Sequence, residues 1–182
     1  LPDFLSGYIS CSSNGFLKKL IIGDFAARFG NGTNLNTSIR TGYLITSAGY
    51  MPVRNEFRHY TSTDENNFLR GMAAELDIKN LDISLFFSRH KTDATVKMKD
   101  DSSGQYIESL YKSGLHNTAS LLEKKDTVEE MLAGINFSYN LKSLRIGTLL
   151  SLNRFSIPFI AENDKAEDLY RLNSDVNNIL SF

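Results

Sequence analysis

The sequence predicts an all-β chain of antiparallel strands. Three observations carry that prediction: apolar and polar residues alternate with period two, tight polar turns join the alternating segments, and long polar connections separate the resulting hairpins. The tight turns fall at Ser13-Asn14-Gly15, at Lys79-Asn80 and at residues 140–143, and the long connections cover roughly 31–66, 94–128 and 156 onward. Alternation of short and long connections puts all the short turns at one end of the sheet. A transmembrane β-barrel has that layout, with short turns at its periplasmic rim and long loops outside. The expected fold is therefore a segment of an antiparallel transmembrane β-barrel. It has about six meandering strands, long extracellular loops and one short loop helix.

The middle hairpin is the clearest element. Residues 68–78 and 81–89 flank the two-residue turn Lys79-Asn80, where Asn80 is expected to tolerate positive φ. Pairing Ile78 with Leu81 sets Leu76 against Ile83, Ala74 against Leu85 and Met72 against Phe87, all on one apolar face. The other face pairs Asp77 with Asp82, Glu75 with Ser84, Ala73 with Phe86 and Gly71 with Ser88. In the third hairpin, Tyr139 is expected opposite Leu144, Phe137 opposite Ile146 and Ala133 opposite Leu150, again with an apolar and a polar face. The first hairpin is weaker. Its second strand, 17–29, sets Ile21, Gly23, Phe25, Ala27 and Phe29 on one face and Asp24 and Arg28 on the other.

These strands run about 10–13 residues, against about 5–6 in ordinary sheets, and a tilted strand needs about 9–11 to cross a bilayer. A soluble sheet would need a second apolar layer over three such faces, and the remaining sequence reads as polar loop that supplies none. Charges mark the strand ends. The register sets Arg70 opposite Arg89 and Glu129 opposite Arg154; arginines at that height suit lipid phosphates. In the second long loop a short helix is expected over 119–125, with Thr118 or Ser120 as N-cap and a strand resuming near Val128.

Composition excludes several classes. A net charge of −1 gives no footprint for nucleic acid through this segment. No run of about 18 uncharged apolar residues exists, so no transmembrane helix is expected. A mean hydropathy of −0.25 does not count against a barrel, because only alternate residues meet lipid. Cys11 is the lone cysteine and is expected to pack as a small apolar residue; it forms no internal disulfide. His59, His90 and His116 have no second ligand at metal spacing, so no metal site is expected, and there is no nucleotide or dinucleotide fingerprint or nucleophile elbow. No catalytic residue, cofactor or metal is assigned, and the chain is not expected to be an enzyme. The glycosylation sequon Asn31-Gly32-Thr33 reads as a turn. Residues 1–182 are expected to be one fragment of a larger barrel domain.

Three ordered motifs carry a family resemblance. Ile21-Ile22-Gly23-Asp24-Phe25 followed by Arg28-Phe29-Gly30-Asn31-Gly32 resembles a "VxGD(Y/F)xxxFGxG" strand. Arg58, Tyr60-Thr61-Ser62 and Glu65, followed by Phe68, Arg70-Gly71 and Ala73, resemble "RxYTSxxExxFxRGxA". Ser113-Gly114-Leu115-His116-Asn117-Thr118 with Glu123 and Lys125 looks like "SG(L/Y)HRT…E…K". Together they are similar to the large outer-membrane β-barrel proteins of Bacteroidetes that carry a helix-hairpin-helix (ComEA-like) label, over most of residues 17–155. Asn31 replaces the family's frequent Gln, and Asn117 its frequent Arg. The resemblance implies the cell outer membrane, with outer-membrane lipid and the remaining strands of the same barrel as partners. The helix-hairpin-helix module is not visible in this segment, so DNA binding is not carried over.

The expected role is transport, secretion-linked activity or surface binding, with Glu75, Asn136, Ser138 and Arg145 facing the interior and the loops 31–66 and 94–128 plugging, gating or binding. Two alternatives stand beside it. One is a soluble or periplasmic β-rich binding module. The other is an outer-membrane hydrolase built on His116 with Ser113 and Glu123 nearby.

Overall fold

The computed structural model describes residues 5–29, 35–37, 56–62, 67–99, 104–111, 117–142, 144–160 and 174–181. Strands β1 (Tyr8–Ser12), β2 (Leu17–Arg28), β4 (Leu69–Ile78), β5 (Leu81–Thr92), β8 (Val128–Leu141), β9 (Leu144–Phe155) and β10 (Val176–Ser181) form one antiparallel meander in that order. The short strand β3 (Glu56–His59) pairs with the far end of β2. A separate hairpin joins β6 (Ala94–Met98) to β7 (Gln105–Leu110), and α1 (Ala119–Leu122) is a single turn. The chain is all-β, as expected. Among the described residues the sheet does not close on itself, and β1 and β10 are its two edges.

The strand count departs from the expected six because the long connections are not plain polar loop. β3 lies within 31–66 and the β6–β7 hairpin within 94–128. The expected helix shrinks to Ala119–Leu122. Thr118 precedes it in extended conformation without a side-chain cap bond, while its carbonyl accepts from the N–H groups of Leu121 and Leu122. The strand resumes at Val128, as expected.

The middle hairpin has the predicted register, from Ile78–Leu81 to Gly71–Ser88. Its turn differs in one respect: the positive φ falls on Lys79, at 58°, rather than on Asn80. The third hairpin is corrected by two residues. Leu141 faces Leu144, so Tyr139 meets Ile146, Phe137 meets Thr148 and Ala133 meets Leu152. Arg154 then faces Met131 rather than Glu129. A slip of two residues leaves every side chain on its own face, so alternation alone does not distinguish the two registers.

The two faces differ in packing. The open face carries Ile22, Met72, Leu85, Phe87, Leu150 and Leu152, all of them exposed. The packed face buries Ile21, Ala73, Ser84, Phe86, Asn136 and Leu149. Aligned registers make each face continuous across the sheet: Ile22–Met72–Phe87–Ala133–Leu152 is one row of the open face. The apolar stripe of β2 lies on the packed side, where Phe25, Phe29, Phe57 and Phe86 form an aromatic core with centroid separations of 5.2 to 5.9 Å. A second core of Ala94, Ile107, Val128 and Phe155 joins the β6–β7 hairpin to the upper ends of β8 and β9.

Candidate functional site

The functional surfaces follow from these two faces. At the short-turn end, Asp77 and Asp82 lie directly opposite each other. Lys18 offsets their repulsion, with Nζ at 2.7 Å from Asp77 and 3.3 Å from Asp82. The Asn140 amide donates to Asp82 at 2.8 Å, and Arg145 stands 3.8 Å from it. This rim is polar, with Asp77 and Asp82 half-buried and Lys18, Asn140 and Arg145 exposed.

At the opposite end, the arginines Arg70, Arg89 and Arg154 share one level of the open face. Register places Arg70 beside Asp24, Arg89 beside Met131, and Met131 beside Arg154. The expected clash of Arg70 with Arg89 is relieved because each finds a carboxylate on its other side. Arg70 donates from Nε and Nη2 to the two Asp24 oxygens at 2.6 and 3.0 Å. The Gly7 N–H donates to the same carboxylate at 2.9 Å, and Arg70 Nη2 reaches the Leu5 carbonyl at 3.1 Å. Arg89 pairs with Glu129, and Arg154 with Asp175 at 3.7 Å. Asp24 therefore ties the segment before β1 to β4. Gly23 permits the close approach: at φ 111° a Cβ there would sit 2.3 Å from the Gly7 carbonyl oxygen.

On the packed face, Lys19 and Glu75 oppose each other and together grip one residue of β3. The Glu75 carboxylate accepts from the Phe57 N–H at 2.9 Å, and Lys19 Nζ donates to the Phe57 carbonyl at 2.8 Å. With the Phe57 ring fully buried against Phe25, Phe29 and Phe86, β3 and the end of β2 cover the packed face of the sheet. The expectation that the loops supply no apolar layer is thus corrected. The signal was faint in sequence because it rests on the four-residue strand Glu56–His59 rather than on a periodic run.

Of the interior residues singled out from sequence, Glu75 holds β3. Asn136 and Ser138 are buried and bonded to each other at 3.2 Å, and Arg145 belongs to the rim. His90 lies beside Ser88, with Nδ1 3.4 Å from Oγ, and its Nε2 is 3.8 Å from Glu130. The order serine, histidine, carboxylate invites comparison with a hydrolytic triad. Ser88, however, is fully buried and its hydroxyl accepts the Arg70 N–H at 3.0 Å, so it presents no nucleophile to a substrate. Ser113, His116 and Asn31 lie outside the described residues. His59 stacks on Tyr8 at 4.5 Å. Cys11, expected to pack, is instead exposed on the edge strand β1, in register with Leu20. Among the described residues no cluster of His, Cys, Asp and Glu is built to hold a metal ion, and no helix is long and apolar enough to cross a membrane. Comparison with known proteins finds no matching family model, no matching curated protein and no matching solved structure.

Proposed function

We propose that this chain is part of an outer-membrane β-barrel, with its open face against acyl chains and its packed face toward the interior, and that it serves transport, secretion or surface binding across that membrane. One observation carries the reading. The side of the sheet richest in Leu, Ile, Met and Phe is the exposed side, while the side holding Ser, Asn and Glu is covered. In water such a continuous apolar surface marks an interaction site or an aggregation hazard; in a bilayer it is the expected outside. Strand length and the segregation of short and long connections support the same reading. The sequence motifs similar to Bacteroidetes outer-membrane barrels agree with it. In this reading the β3 segment, held by Lys19 and Glu75, lies on the interior side of the wall.

Cysteine accessibility tests the reading, in membranes and with Cys11 replaced by Ser. Cysteines at Met72, Leu85 and Leu150 are expected to resist a water-soluble maleimide, although these side chains are exposed in the isolated sheet. Cysteines at Asp77, Asp82 and Arg145, on the polar rim, are expected to react. Equal labelling of both sets would replace the barrel with a soluble β-rich module.

A further inference from the structure

The open face is not uniformly bulky. Ala74 and Ala133 stand among Leu20, Met72, Leu85, Phe87, Leu150 and Leu152 on the floor of an open groove of 720 Å³. That is the size of sites that hold small-molecule ligands, about 300–1,000 Å³. The groove occupies the two rows of side chains directly below the arginine level. Ala133 follows Met131 on the same face of β8, and Met131 lies between Arg89 and Arg154. Two strand spacings set the backbones of these arginines about 10 Å apart. Their side chains are 61% and 64% exposed, so they are the accessible cations of the level. Each contacts its carboxylate through Nε, and a guanidinium has five N–H donors. Asn178, paired with Leu152, also lines the groove and brings an amide to its edge.

We infer that this groove is a lipid site: one acyl chain lies over Ala133 and Ala74, and the phosphate of the same lipid's headgroup sits between Arg89 and Arg154. The inference rests on the membrane reading above. An apolar groove capped by cations matches an amphiphile with an apolar tail and an anionic head. A free phosphate would leave the groove unfilled, and an uncharged lipid would leave the two arginines with Glu129 and Asp175 as their partners. Glu129 and Asp175 pair with the two guanidinium groups, and because exposed pairs of this kind are weak a lipid phosphate can share or take over their donors.

The test uses the intact protein in detergent, titrated with phosphatidylglycerol or phosphatidylcholine and read by native mass spectrometry, with millimolar inorganic phosphate as competitor. Phosphatidylglycerol is expected to be retained about tenfold better than phosphatidylcholine, the scale of one charge-assisted hydrogen bond. Ala133→Phe is expected to abolish retention of both lipids, with Ala133→Leu as the milder variant should the first fail to fold. The double substitution R89Q/R154Q is expected to make the two lipids equal. Unchanged retention in all variants, or displacement of phosphatidylglycerol by inorganic phosphate, overturns the lipid site. Nitroxide labels at Leu85 and Leu150 separate the two levels of inference. Oxygen accessibility typical of hydrocarbon without lipid selectivity removes only the lipid site. Accessibility typical of water removes the membrane reading and the lipid site with it.

Discussion

Asp24 retains 1% of its exposure, yet it carries a carboxylate into the end of β2. Two arginine nitrogens and the Gly7 N–H satisfy it, which is what a buried charge requires. Asp24→Asn is expected to destabilise the protein by about 1.5–3 kcal/mol, the worth of hydrogen bonds to a charged group. It should also release residues 5–7 to protease. Arg89→Gln removes a pair at the surface and should leave the unfolding midpoint where it was; urea titration of the two variants side by side in detergent micelles checks the contrast. Gly134 is a second sensitive point. A Cβ there would lie 2.4 Å from the ring of Phe86 and 2.9 Å from the Leu150 carbonyl oxygen. Gly134→Val is expected to cost about 1–3 kcal/mol through overpacking, measured in the same titration. A smaller residue at position 86 should restore part of that loss. None of these roles was legible residue by residue. Asp24 was read as a polar-face residue of β2 and Arg70 as a strand-end charge opposite Arg89, but not as a pair, because partners 46 residues apart in sequence leave no local signal.

At the scale of elements, legibility followed length and turn chemistry. The middle hairpin was read residue for residue, because a two-residue polar turn between long alternating strands fixes the register. The third hairpin was read correctly by face but two residues out along the strand, since its turn was placed over a wider polar stretch than the one it uses. β3, β6 and β7 went unread. They have four to six residues each, and tertiary contacts rather than periodicity hold them. Phe57 shows how strong such a contact is, with a buried ring and both backbone groups bonded to Lys19 and Glu75. Phe57→Ala is expected to cost about 3–5 kcal/mol. Hydrogen exchange should show protection lost first at residues 56–60 while the β4–β5 ladder stays protected. Uniform loss across both would mean that β3 is an integral part of the sheet rather than a separable cover.

For the whole molecule, the two faces set the solution behaviour. Among the described residues the apolar open face and the edges β1 and β10 have no cover, and unpaired edges template association in water. Refolded without detergent, the chain is expected to aggregate. In detergent micelles it is expected to give a dispersed β-rich species, which gel filtration with circular dichroism will distinguish. A soluble, cooperatively melting monomer would contradict this.

The two-residue displacement between the read and the actual register of β8 and β9 bears on how such a chain changes over time. Sliding a strand by two positions restores every side chain to its original side, whereas sliding by one inverts the whole row. Insertions and deletions inside these strands are therefore best tolerated in even numbers, since an odd change needs a bulge such as the register shift of β2 between Leu17 and Lys19 to absorb it. Each even step lengthens or shortens a strand by about 7 Å, so strand length changes most readily in discrete increments. A library of strand indels scored for correct assembly would show survival alternating with the parity of the change.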